Sequence, residues 1–119
     1  MNATRIIAKD ILGKSIAVMD GDGRKLSEEM TRVYHQFGAV VVSFKGISHI
    51  TTAFLNAALG KFILQAGSPE EAQERASHVE FTDLANSSME TQIKRVKKLA
   101  LDTELRSMHN SVLLQETCA

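Results

Sequence analysis

Apolar residues open the chain in short runs and continue it in stripes. Thr4 to Leu12, TRIIAKDIL, is apolar and β-branched in its first half and predicts a short strand ended by Gly13. Ser15 to Met19, SIAVM, predicts a second. Asp20-Gly21-Asp22-Gly23 then reads as a turn, because glycine accepts positive φ and aspartate bonds to its own backbone. As a calcium loop it lacks the following ligands and the closing glutamate. From Leu26 the spacing Leu26, Met30, Val33, Tyr34, Phe37 marks one face of a helix, which Gly38 stops. Ala39 to Phe44 is apolar on both faces, the pattern of a central strand covered on both sides.

After Phe44 the period changes. A helix from about Thr52 to Ala66 presents Leu55, Ala58, Leu59, Phe62 and Ala66 inward. Gly67 ends it, and Ser68-Pro69-Glu70-Glu71 starts another with a good N-cap, a proline in the first turn and a capping box. That helix runs to about Ala76. Val79 to Leu84, VEFTDL, alternates and predicts a strand. Ser87 and Glu90 form a second capping box before a long helix, about residues 88–114. Its stripe is Met89, Ile93, Val96 and Ala100, then slips by one residue to Leu101, Leu105, Met108 and Val112. A phase slip means that the far half bends, packs on another surface or faces a partner chain. Strands alternating with helices imply an α/β layer arrangement. No repeat or linker interrupts it, so residues 1–119 read as one domain.

Net charge is zero, which removes a global field as an argument for nucleic acid or anionic membrane. No apolar run reaches the roughly 20 residues of a membrane span, and MNATRIIAKD lacks the apolar segment of a signal peptide. The one cysteine, Cys118, has no partner for an internal bridge. These features predict a soluble cytoplasmic protein.

Candidate chemistry is sparse. His35, His49, His78 and His109 stand apart at no ligand spacing, so no metal site is expected. No phosphate-cradling glycine loop occurs, and no cofactor is expected. His49 near Thr52 would place a base beside a nucleophile, but no third group or oxyanion hole accompanies them, so an enzyme ranks last. The basic run Lys94-Arg95-Lys97-Lys98 is interrupted by Val96 and preceded one turn earlier by Glu90. It reads as a solvated face rather than a nucleic-acid contact, the more so with one tyrosine and no tryptophan to stack on bases. The adjacent pair Thr51 and Thr52 remains. Either hydroxyl can cap the helix that starts there, and that helix N-terminus stabilises an added phosphate.

The stretch from Val40 to Phe62, VVVSFKGISHITTAFLNAALGKF, resembles the core of STAS domains, the fold of bacterial anti-sigma-factor antagonists. Their pattern is an apolar strand, a short serine-rich turn and a helix with small residues. In an ungapped comparison Ser48 falls on the serine before the turn, Thr51 on an aspartate, and Thr52 on the serine phosphorylated in that family. Phe54 replaces a glycine. The chain is closer still to a STAS-like group of unassigned function, through Asp22-Gly23, Ser43-Phe44-Lys45-Gly46-Ile47 and Phe54-Leu55-Asn56-Ala57-Ala58-Leu59-Gly60. The resemblance implies a STAS-like layer: a small mixed sheet of about four strands covered by helices, with a long C-terminal helix. It also implies a non-enzymatic regulatory module of the partner-switching type. Its partner surface would be Ser48, His49, Thr51, Thr52 and Asn56, with Thr52, or else Thr51, as the phosphate acceptor. The implied partner is a histidine-kinase-like ATPase acting as a Ser/Thr kinase. The long last helix suggests a homodimer. The competing function is a nucleic-acid-binding or transcription-associated module using the basic run.

Overall fold

In the computed structural model, which describes residues 4–118 and the side chains of residues 4–102, three strands form a parallel sheet in the order β1-β3-β5. These are β1 (Arg5–Ile7), β3 (Val40–Ser43) and β5 (Val79–Thr82). A second parallel pair joins β2 (Ile16–Ala17) to β4 (His49–Ile50). The architecture is α/β with small sheets, as the strand and helix order implies. In place of one mixed sheet of about four strands there are two sheets of parallel strands, because Ser48–Ile50 pairs with the β2 segment instead of remaining loop.

Helices connect the strands. The first strand is shorter than expected: after Ile7 the chain turns into α1 (Ala8–Leu12), since Ala8, Lys9 and Asp10 are poor strand formers and Ala8 with Leu12 bury one helical face. Gly13 closes it at φ 71°. The expected DGDG turn is instead the start of α2 (Asp20–Phe37), where Asp20 and Asp22 complement the positive helix end. Leu26, Met30 and Val33 are buried on its inward face. Next comes α3, which begins as an α-helix (Thr52–Leu55), passes through one π-helical turn (Asn56–Gly60) and resumes as α-helix (Lys61–Leu64). The wide turn adds Phe54 and Ile63 to the inward residues Leu55, Ala58, Leu59, Phe62 and Ala66. Then follow α4 (Pro69–Ser77) and α5 (Ser87–Cys118).

Caps set these boundaries. Ser68 Oγ accepts from Glu71 N at 3.1 Å, and Glu71 Oε2 reaches back to accept from Gly67 N at 2.9 Å. For α5, Asn86 rather than Ser87 caps, its Oδ1 accepting from Met89 N at 3.0 Å. Met89, Ile93, Val96 and Ala100 are all buried, as the first part of the stripe predicts. Leu101 is partly buried against the core. The side chains of Leu105, Met108 and Val112 lie outside the described residues.

The core lies between the helices and one face of the three-stranded sheet, where Val40, Val42, Phe44, Phe54 and Phe62 are fully buried. Each of the three phenylalanines contributes roughly 1.5–3 kcal/mol by leaving water. The other face carries Arg5, Ile7, Val41, Glu80 and Thr82, all exposed or half-buried, with Ser43 alone buried among them, so β3 is central but its second face is largely open. Arg75 pins α4 to this core. It is 3% exposed, donates Nη1 to Phe62 O at 2.8 Å, and its guanidinium lies 5.3 and 5.2 Å from the ring centroids of Tyr34 and Phe62.

Candidate functional site

The turn from β4 into α3 is built by the neighbouring β2 segment. Ser48 N donates to Ser15 O at 2.8 Å, and Thr51 N donates to Ala17 O at 3.3 Å. With Ile50 buried and His49 facing out, the chain reaches α3 in extended conformation, Thr51 having φ −121° and ψ 162°. That is N-cap geometry. Thr51 Oγ1 accepts from Phe54 N at 3.2 Å and donates to Val18 O at 2.9 Å. Its hydroxyl thus ties α3 to the residue pair Val18-Met19 that leads into α2.

Thr52 is different. It is exposed, occupies the first helical position, and its hydroxyl makes no hydrogen bond among the described residues. Asn56, one turn on, is exposed on the same side. Met19, which follows Val18 in the segment that Thr51 bonds, is 60% exposed, and Ile16, paired in register with His49, is also exposed. Ser48 and His49 face elsewhere, lining a small recess of about 80 Å³ with Asn86, Ser88, Met89 and Gln92. The five expected site residues therefore divide: Thr52 and Asn56 share the α3 face, Ser48 and His49 share the recess, and Thr51 is structural. His49 makes no side-chain hydrogen bond among the described residues, and no group of three or more metal-ligating side chains occurs among them.

Behind this surface the α2 and α3 starts touch. Gly23 lies so close to α3 that a Cβ there would sit 2.4 Å from Phe54 O and 2.6 Å from Ala57 Cβ. The Asp22-Gly23 and Phe54–Gly60 motifs, far apart in sequence, thus form one contact. Asp22, 7% exposed, has Oδ2 2.8 Å from Lys14 Nζ, an ion pair without hydrogen-bond alignment.

A polar cluster at the carboxyl ends of β3 and β5 escaped sequence reasoning. Ser43, fully buried, donates to Asp83 Oδ2 at 2.5 Å; Arg5 Nη2 reaches the same oxygen at 3.0 Å and Thr82 Oγ1 at 3.4 Å. The Ser43 hydrogen bond, with Arg5, Thr82 and Lys45 adding to it, holds the Asp83 carboxyl below the ordinary aspartate value. Asp83 also has φ 57°, a left-handed conformation that aspartate tolerates better than most residues. Only the polar ending of an apolar strand at Ser43 hinted at this. In the basic run, Lys94 pairs with Glu90 at 3.2 Å, Arg95 and Lys98 are exposed, and Lys97 is half-buried. No described helix is long and apolar enough to cross a membrane.

A family model described as a STAS-like domain of unknown function matches residues 22–89. That span begins at Asp22, contains the whole β3 to α3 segment and ends at the first buried residue of α5. No curated protein and no solved structure matches the chain.

Proposed function

The chain belongs to the family of STAS-like domains of unknown function, and from that premise we propose that it is a non-enzymatic regulatory module that acts by binding a protein partner. The division of labour between two adjacent hydroxyls carries this reading. Thr51 is committed twice, to Phe54 N and to Val18 O, while Thr52 is exposed at the first position of α3. A phosphate on Thr52 would meet the unpaired N–H groups and partial positive charge of a helix start. It would add about −1.5 to −2 charges to the surface. Met19, 60% exposed and next to Val18, whose carbonyl accepts from Thr51 Oγ1, supplies apolar area for a partner to cover.

The partner is a histidine-kinase-like ATPase acting as a Ser/Thr kinase, by analogy with the antagonists that the Val40 to Phe62 stretch resembles, and the module works in the cytoplasm. It acts as a homodimer through the far half of α5, where half-buried Leu101 begins the second stripe.

The test uses a partner captured from the native host and titrated calorimetrically with three forms of the full chain. Thr52→Asp is expected to change partner affinity at least tenfold, about 1.4 kcal/mol, while Thr52→Ala stays near wild type. Equal affinity of all three forms, with no phosphate on the intact protein purified from its host, would overturn the switch.

A further inference from the structure

The outer edge of the three-stranded sheet carries a second opportunity for binding, away from α3. His78 O accepts from Val40 N at 3.0 Å and Thr82 O from Phe44 N at 2.9 Å, so even-numbered residues of β5 direct their peptide groups to β3. Successive residues of a strand point to opposite sides, which turns the N–H and C=O of Val79 and Phe81 outward. An edge of this kind is a template for another strand. Beside it a groove of about 360 Å³ runs between β5 and α5. Val79, Phe81, Leu84 and Ile93 give it apolar walls, and Lys97 stands in it without a carboxylate partner among the described residues. Of the two carboxylates at the groove, Glu90 is already paired with Lys94, and Glu80 belongs to the opposite face of the sheet from Val79 and Phe81. Lys97 is half-buried, and that burial lowers its ammonium below the usual lysine value. The opposite edge strand, β1, has only three residues and turns directly into α1.

We propose that this groove takes an extended segment of a partner protein as an added strand beside β5, with apolar side chains at alternate positions and a carboxylate seated at Lys97. The backbone of β5 supplies the ladder, the walls accept every second side chain, and Lys97 selects an acidic residue. The four residues of β5 set an added strand of similar length.

A phage-displayed library of random hexapeptides, panned on the full chain, supplies the probe, and the enriched consensus is then synthesised. The expected consensus alternates β-branched residues and contains a glutamate or aspartate. Bound to the full chain, the peptide is expected to slow amide hydrogen exchange at Val79 and Phe81 at least tenfold, with little change at Glu80 and Thr82. Lys97→Glu is expected to weaken it at least tenfold, and Lys97→Arg to retain it. Failure to enrich such peptides, unprotected Val79 and Phe81 amides in the complex, or undiminished affinity of Lys97→Glu each overturns the proposal. Protection of these two amides in the free chain that is lost on dilution also overturns it, because the occupant is then a second copy.

Discussion

Adding one methyl group at Gly23 tests the closest approach in the structure. Alanine there would gain up to about 1 kcal/mol of helix propensity over glycine. Against this, the new Cβ would lie 2.4 Å from Phe54 O, 2.6 Å from Ala57 Cβ and 3.0 Å from Ala58 N. Two of these are backbone atoms and none is the far end of a flexible chain, so the clash cannot be relieved by a rotamer change. Relief requires α2 and α3 to separate by roughly 1 Å, and a gap of that size forfeits a quarter to a half of the dispersion attraction of the atoms lining it. The residues affected are Leu26, Met30, Leu55 and Leu59, all fully buried. Overpacking of this kind costs about 1–3 kcal/mol, and displaced backbone puts Gly23 at the upper end, so Gly23→Ala is expected to lose about 2 kcal/mol net. Gly21→Ala is the control. Its nearest neighbour is Arg24 Nη2 at 3.9 Å, so it is expected to be neutral or to gain a few tenths of a kcal/mol. With no tryptophan in the chain, urea unfolding is followed by far-ultraviolet circular dichroism. Gly23→Ala unfolding at the same urea concentration as wild type, or higher, would refute the contact.

Thr51→Ala is expected to lose about 0.5–2 kcal/mol; Thr51→Ser restores both hydrogen bonds, whereas Thr51→Asp restores only the cap because a carboxylate cannot donate to Val18 O, and the three midpoints in urea decide it. Arg75→Leu is expected to cost on the order of 3 kcal/mol, from the lost charged hydrogen bond to Phe62 O and the two ring contacts, and a thermal midpoint within a degree of wild type would remove Arg75 as the pin of α4. Asp83 has a folded pKa below its unfolded one, so its stabilisation is present above the ordinary aspartate value of 3.8 and lost as pH falls through the lower folded value. Asp83→Asn is therefore less stable at neutral pH by a margin that shrinks steadily in acid below about pH 4, and a margin independent of pH sinks the assignment.

Positions where local pattern and tertiary packing agree were legible without coordinates. The stripes Leu26-Met30-Val33, Leu55-Ala58-Leu59-Phe62 and Met89-Ile93-Val96-Ala100 are buried because a helical period of apolar residues has only one way to leave water. Ser68 and Thr51 cap their helices because a side-chain oxygen next to a free N–H is a local interaction. The family motif from Val40 to Phe62 was legible for a similar reason: its parts are contiguous.

What the chain alone does not decide is which distant surfaces meet. DGDG carries turn chemistry, yet it is helix, since Gly23 must meet Phe54 and Ala57 and a helix places it there. Ser48–Ile50 has no strand pattern of its own and becomes β4 only because the β2 segment offers free carbonyls at Ser15 and Ala17. Arg75 has the sequence look of a solvated helix residue, and the Phe62 carbonyl, the Glu71 carboxylate and the rings of Tyr34 and Phe62 make its burial tolerable. Asp83 finds Ser43 and Arg5 across three parallel strands, a contact spanning 78 positions between Arg5 and Asp83. Apolar period and capping act within one or two helical turns, so the sequence determined the inward stripes of the main helices and the caps at their starts. Close approach, strand partnership and buried charge act between segments far apart in the chain, so only the tertiary structure decided them.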